Sequence, residues 1–283
     1  MTNLVAEALA GEQLEEAIDL MRDARVAVLT GAGVSTDSGI PDYRGEGAPR
    51  RNPMTFQTFL ASEPARKRYW AGSHLGWRRF GSATPNAGHR ALARLEQSGT
   101  VTGLVTQNVD GLHRRAGSAH VVELHGTMDR VVCLTCGQYY ARQAIADRLE
   151  ALNPQLDLEQ AIRPAPDGDV EVDDVDAMQI PACTVCGGIL KPDVVFFGEF
   201  VPGETFESAA SIVAGADVLL VAGSSLVVNS GIRLIEHARR RHLPIIVVNR
   251  GITKGDARAA VKLDAGTSET LTAMADALAG HDR

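Results

Sequence analysis

The stretch T-G-A-G-V-S-T-D-S-G-I-P-D-Y-R-G, Thr30 to Gly45, follows the apolar run Arg25-Val-Ala-Val-Leu29. An unbroken apolar run that ends in glycine predicts a strand buried on both faces, feeding a loop at its carboxyl end. Gly31 and Gly33 stand at the first two glycine positions of the dinucleotide loop G-x-G-x-x-G, but Thr36 occupies the third. A dehydrogenase would continue into a helix and a second strand whose acid, about 20 residues on, holds a ribose. Here the chain runs Ser35-Thr-Asp-Ser-Gly-Ile-Pro-Asp42-Tyr-Arg44, a polar loop with a charged tip. Backbone N–H groups at Gly31-Ala32-Gly33 can approach a pyrophosphate closely. The long polar continuation suits a loop that folds over the other half of a dinucleotide.

Four further β-rich apolar runs predict strands at Val101–Thr106, Val121–Leu124, Asp217–Ala222 and Ile245–Val248. Helical spacing predicts helices over about 10–24 and over Ala87–Gln97, Thr205–Ala214 and Ile232–Arg241. Apolar strands alternating with helices predict an α/β fold, a Rossmann-like parallel sheet with helices on both faces. Ligands of such sheets bind beyond the carboxyl ends of the strands. The loops expected there are Gly31–Gly45, Gln107–Gly111, His125-Gly126, Gly223–Ser225 and Asn249–Gly251, all rich in Gly, Ser, Asn, Asp or His.

Two segments break the alternation. Residues 46–81 carry Pro, paired Arg, Tyr69, Trp70, Trp77 and Phe80, and read as a small helical insert. Residues 131–189 hold all four cysteines, as Cys133-Leu-Thr-Cys136-Gly and Cys183-Thr-Val-Cys186-Gly. Two C-x-x-C knuckles supply four thiolates for one closed, structural Zn²⁺ per chain, with no open position for catalysis. Between them lies the acidic run Pro166–Asp176, which lacks the Gly and Glu of a calcium loop (Val172 and Met178 stand there) and reads as a solvated loop. The expected organisation is 1–45, 82–130 and 190–283 as the dinucleotide-binding domain, 46–81 as the insert and 131–189 as the zinc-ribbon module.

Composition narrows the class. The chain has 283 residues, 45% hydrophobic and 22% charged, with a net charge of −7. A net negative charge argues against non-specific nucleic-acid binding, and no apolar run approaches the ~20 residues of a membrane span. Met1–Glu7 shows no leader character, so the expected location is cytoplasmic.

Thr106-Gln-Asn-Val-Asp110 puts two carboxamides and a carboxylate at a strand end, where they can orient a ribose and an amide or simply cap a turn. Glu123-Leu-His125-Gly126 puts an imidazole at another, and an unperturbed pKa of about 6.5 suits a general base. Together with K-P-D-V-V-F-F-G-E (Lys191–Glu199) and A-G-S-S-L (Ala222–Leu226), these motifs resemble the sirtuin family in order, from about Glu12 to the last helix. Pro166-Asp-Gly-Asp-Val170, Arg68-Tyr-Trp70, Gly76-Trp77 and the run Leu190–Gly198 resemble its class II branch most.

The resemblance implies that NAD is a consumed co-substrate and that the partners are acyl-lysine proteins or peptides. It implies NAD contacts at Gly31, Ala32, Gly33, Ser35, Thr36, Ile40, Pro41, Asp42, Tyr43 and Arg44, and at Gln107, Asn108, Val109, Asp110 and His125. Gly223, Ser224, Ser225, Asn249, Arg250 and Gly251 match adenosine-ribose contacts, with Thr267 near the adenine. His125 matches the general base, and Asn108 joins it as a catalytic residue. The acyl-lysine would enter as an added strand, between Val194, Val195, Phe197, Gly198 and Glu199 on one side and Leu226 and Val227 on the other. Mono-ADP-ribosyl transfer to protein and a lapsed NAD-sensing module are the alternatives. Asn229-Ser230-Gly231 departs from the x-Pro frequent in the family and leaves that edge of the groove open. The Tyr-x-x-Arg pair of relatives that read acidic acyl groups is absent from 46–81, and Tyr139-x-x-Arg142 lies in the cysteine segment. The insert offers Trp70, Trp77 and Phe80 as an apolar wall instead, so medium or long neutral acyl groups are expected to be processed at least as well as acetyl.

Overall fold

The computed structural model describes residues 2–43, 53–154 and 175–279, with the backbone alone over 2–10 and at Arg79. Most of the acidic run Pro166–Asp176 and its expected solvated loop lie outside the described residues, as does Arg44. Helix α1 (Thr2–Met21) leads into β1 (Val26–Thr30), and α2 (Phe56–Ala61), α3 (Glu63–Ser82) and α4 (Ala87–Gln97) lead on to β2 (Val101–Thr106). Next come α5 (Leu112–Arg115), β3 (Val121–Glu123), β4 (Gly126–Cys133), β5 (Tyr139–Ala141), α6 (Arg142–Leu152) and β6 (Leu190–Val194). The last part alternates α7 (Gly203–Ala214), β7 (Val218–Ala222), α8 (Asn229–Arg240), β8 (Ile245–Val248), β9 (Val261–Leu263) and α9 (Thr267–Ala279).

The main sheet is parallel, in the order β3-β2-β1-β7-β8-β9. Side chains of β1 alternate between two cores, as a strand's period of two requires. Val26 and Val28 pack with Ile18 of α1, Leu92 of α4 and Leu271 of α9. Ala27 and Leu29 pack with Val213 of α7 and Leu234 of α8. The sheet is therefore covered on both faces, as its apolar strands predict. Strand β9 carries only three residues, too short for a periodic signal, and its place beside β8 is set by tertiary pairing.

The insert and the cysteine segment share a third core. Phe59, Trp70 and Phe80 pack there with Met128, Ile145, Leu149 and Leu190. The Trp70 indole N–H donates to Leu190 O at 3.3 Å, and the Arg142 guanidinium lies 4.8 Å from the Trp70 ring. The small antiparallel sheet β5-β4-β6 begins at Gly126 and ends at Val194, so it reaches beyond 131–189 on both sides.

Strand order reverses between β1, whose sequence successors lie on one side, and β7, whose successors lie on the other. Crevices form at such reversals. Here the loops leaving β1 and β7 touch backbone to backbone. Gly33 N donates to Gly223 O at 2.9 Å, and a Cβ on Gly31 would lie 2.8 Å from the same oxygen. Gly223 has φ 63°, and a Cβ there would collide with Val34 N. Gly223→Ala is thus expected to lower stability by about 1–3 kcal/mol through the left-handed backbone alone, with more from the collision. Urea unfolding followed by circular dichroism measures it.

Candidate active site

A cavity of about 820 Å³ opens at the reversal point, and all five expected strand-end loops reach it. Ala32 and Gly33 follow β1, Gln107–Val109 follow β2, and His125 follows β3; Gly223–Ser225 follow β7 and Asn249–Gly251 follow β8. Asp42 and Tyr43 line it from the end of the first polar loop.

Gln107 organises the centre. Its N–H donates to Thr30 O at 2.9 Å, holding the β2 loop against β1. Its carbonyl lies 2.9 Å from His125 Nδ1, and its side-chain Oε1 accepts from Ser224 Oγ at 2.6 Å. A carbonyl is an acceptor, so Nδ1 carries the imidazole proton and Nε2 keeps the lone pair. Ser230 Oγ sits 2.8 Å from Nε2. Burial pushes the His125 pKa below its usual 6.5, opposed by the bond to the Gln107 carbonyl. The ring is therefore neutral near pH 7, the state a base needs.

A buried layer lies behind the wall. Ser35 Oγ donates to Asp110 Oδ2 at 2.7 Å, while Asn108 Nδ2 donates to Gly31 O and Ser35 Oγ, each at 3.1 Å. Burial raises the Asp110 pKa, and hydrogen bonds from Leu112 N–H and Ser35 oppose it. Thr36 Oγ1 and Thr267 Oγ1 both donate to Gly33 O, at 3.1 and 3.2 Å. This accounts for Thr36 at the third glycine position: β1 leads into two 3₁₀ turns, and the hydroxyl closes the first onto itself. Gly31, Ser35, Thr36, Ile40, Pro41, Asp110 and Thr267 thus lie outside the cavity wall, whereas Asn108 reaches it.

Val194, Val195, Phe197, Gly198 and Glu199 line the cavity, as do Leu226 and Val227. Val195 N donates to His125 O at 2.8 Å, and Phe197 O accepts from Phe56 N at 2.9 Å. Glu199 braces this turn from within, accepting from Lys191 Nζ and Phe196 N at 2.9 Å each. Trp70 and Phe80 belong to the insert's core, and Trp77 packs against it; none of the three lines the cavity. The aromatic and apolar wall comes instead from Met54, Tyr69, Phe196 and Phe197. Tyr139 is exposed beside Arg130, while Arg142 is buried and donates to Ser73 O, so the two do not form a pair. Ser230, Met54 and Tyr69 were not expected. The break from x-Pro at Asn229-Ser230 was the sequence signal for the first; Met54 and Tyr69 carry no motif.

The four cysteines converge as the knuckles predict. Their sulfurs all lie within 4.8 Å of one another, with Cys133–Cys186 at 3.5 Å and Cys136–Cys183 at 3.7 Å. A tetrahedron with Zn–S near 2.3 Å has edges of about 3.8 Å. Backbone N–H groups of Thr135 and Val185 point at Cys133 Sγ and Cys183 Sγ, as suits thiolate charge. The donor set fits a structural zinc. Elemental analysis is expected to return about one zinc per chain. Cys183→Ser should lose the metal and loosen the shared core, seen as a drop in melting temperature.

The family model described as "Sir2 family" matches residues 31–230. Over 267 residues, 93% of this chain and 95% of the relative, the sequence is 51% identical to "NAD-dependent protein deacetylase 1" of Mycobacterium avium (strain 104). It is also 51% identical to the protein of the same description from Streptomyces coelicolor (strain ATCC BAA-471 / A3(2) / M145), over 92% of this chain and 88% of that one. A solved structure described as "Sir2-p53 peptide-NAD+" superposes with a TM-score of 0.74 at 29% identity, covering 95% of this chain and 99% of that chain. A glycine loop without its third glycine, a strand-end histidine and a four-cysteine cluster on one parallel sheet have a common explanation in these likenesses: the chain belongs to the Sir2 family, the sirtuins.

Proposed function

We propose that this protein is an NAD-dependent protein lysine deacylase, which cleaves NAD to nicotinamide and passes the acyl group to ADP-ribose. The observation that carries this reading is His125, held as a neutral base on the wall of a cavity at the sheet's reversal point. NAD supplies the electrophilic anomeric carbon and the leaving nicotinamide. Ala32, Gly33 and Gly223 shape the pyrophosphate floor, Ser225 and Asn249–Gly251 take the adenosine ribose, and Asn108 orients the nicotinamide riboside. The acyl oxygen attacks the anomeric carbon as nicotinamide leaves, His125 then accepts the ribose proton so that the freed oxygen can attack the imidate carbon, and water finally releases the lysine amine. Ser35 and Asp110 act one layer back by fixing Asn108. Cys133, Cys136, Cys183 and Cys186 hold a zinc that organises the module and takes no chemical step. We place the protein in the cytoplasm, a reducing compartment that keeps free thiols available to a metal.

The acyl-lysine segment lies between 194–199 and 226–228, bound through main-chain groups, which makes peptide sequence a weak determinant. Met54, Tyr69 and Phe196 give the acyl end an apolar wall. Burying a carboxylate without a partner is costly, whereas each buried CH₂ contributes about 0.8 kcal/mol.

Two outcomes test this reading. His125→Ala should cut deacylation about 10²–10⁴-fold without unfolding the protein. In the wild type, kcat/KM should rise with pH through a limb centred below 6.5, since burial lowers the histidine. Mass spectrometry of NAD with acyl-lysine peptides gives both; near-wild-type turnover by the variant removes His125 from the mechanism. Across acetyl, octanoyl, lipoyl and succinyl peptides, neutral medium or long chains should match or exceed acetyl in kcat/KM, and succinyl should be slow. A succinyl preference reverses the apolar-wall argument.

A further inference from the structure

Neither nitrogen of the proposed base is free. His125 Nδ1 is bonded to the Gln107 carbonyl and Nε2 to Ser230 Oγ, at 2.9 and 2.8 Å. Because Nδ1 carries the proton, the Ser230 hydroxyl donates to the Nε2 lone pair. A substrate hydroxyl therefore meets an occupied base. Either it displaces Ser230, or it reaches the base through Ser230.

The packing favours the second course. Ser230 is buried at the second position of α8, and both it and His125 line the cavity. The next residue, Gly231, sits so near Gln107 that an added Cβ would lie 2.6 Å from Gln107 Nε2 and 3.3 Å from Leu226. One residue thus fixes both ends of the pair: the Gln107 backbone sets the imidazole, and its side chain abuts the start of α8. Turning the Ser230 hydroxyl away breaks its hydrogen bond to His125 Nε2 at a buried position, whereas passing a proton through it keeps that bond. A hydroxyl, unlike the proline expected at this position, can donate one proton while accepting another.

We propose that Ser230 is the proton relay between the substrate ribose and His125, a catalytic residue of this chain; the inference rests on the deacylase reading above. As the ribose O–H bond breaks, its proton passes to Ser230 Oγ. The proton already on Ser230 passes to His125 Nε2. The ribose oxygen keeps the electron pair and attacks the imidate carbon, Ser230 is again a hydroxyl, and His125 becomes an imidazolium that donates to Ser230 Oγ. A hydrogen bond from a charged donor is stronger than one between neutral groups, so the pair tightens as the base is charged.

The test compares Ser230→Ala and Ser230→Thr with the wild type. Ser230→Ala should lower O-acyl-ADP-ribose formation roughly 10- to 100-fold, a share of the general-base effect. The KM for NAD and the exchange of labelled nicotinamide, which precede the base step, should stay unchanged. Ser230→Thr, which keeps the hydroxyl, should recover most of the rate. In ¹⁵N NMR of the full-length protein, the His125 Nε2 signal should shift in Ser230→Ala, and its titration should move to lower pH because the imidazolium loses its acceptor. Ser230→Ala with wild-type turnover, or faster, and an unmoved His125 signal overturns the relay alone. A wild type inert toward NAD and every acyl-lysine peptide overturns the deacylase reading and the relay with it.

Discussion

Contact between two bare backbones organises this molecule. Where strand order reverses, the turns after β1 and β7 meet at Gly31, Gly33 and Gly223 with no room for a Cβ between them. The glycines would ordinarily be read as making space for a ligand's phosphates. Here they make space for each other first, and the floor of the cavity results from that closeness. Asn86 extends the bracing by donating to Val34 O at 2.7 Å, tying the start of α4 to the same turn.

From that floor, Gln107 carries the geometry to the side chains on the cavity wall. One residue contacts the end of β1, His125, the β7 loop and the start of α8. Its backbone does the chemical part by fixing which nitrogen of His125 carries the proton. Its side chain does the spatial part. A strand-end carboxamide is thus both a candidate ligand contact and a structural strut, and the two readings do not exclude each other.

The cysteine cluster sits away from this chemistry but supports its wall. Insert and metal module share one core, in which Phe59, Tyr69 and Phe196 stack edge to face or tilted at 4.7–5.5 Å. Tyr69 and Phe196 from that core also line the cavity. Cysteine module, insert and apolar wall therefore share one packed core.

Much of this was legible in the chain. Unbroken apolar runs marked the main strands apart from β9, because a strand buried on both faces has to be apolar throughout. Paired C-x-x-C knuckles predicted one metal site, because four thiolates at that spacing can satisfy one tetrahedral ion. His125 stood out because it ends a strand. The side chains that finish the site were hidden by distance along the sequence. Ser230 meets His125 across 105 positions, and Ser35 meets Asp110 across 75. Trp70 and Trp77 looked like an acyl wall from their chemistry and proved to be packing against Arg142. Sequence determined which loops bear polar groups, since local pattern and residue type set strands, turns and ligand sets. Tertiary structure decided which polar groups face the cavity and which brace it, because that depends on how closely two loops approach, a property no single segment carries.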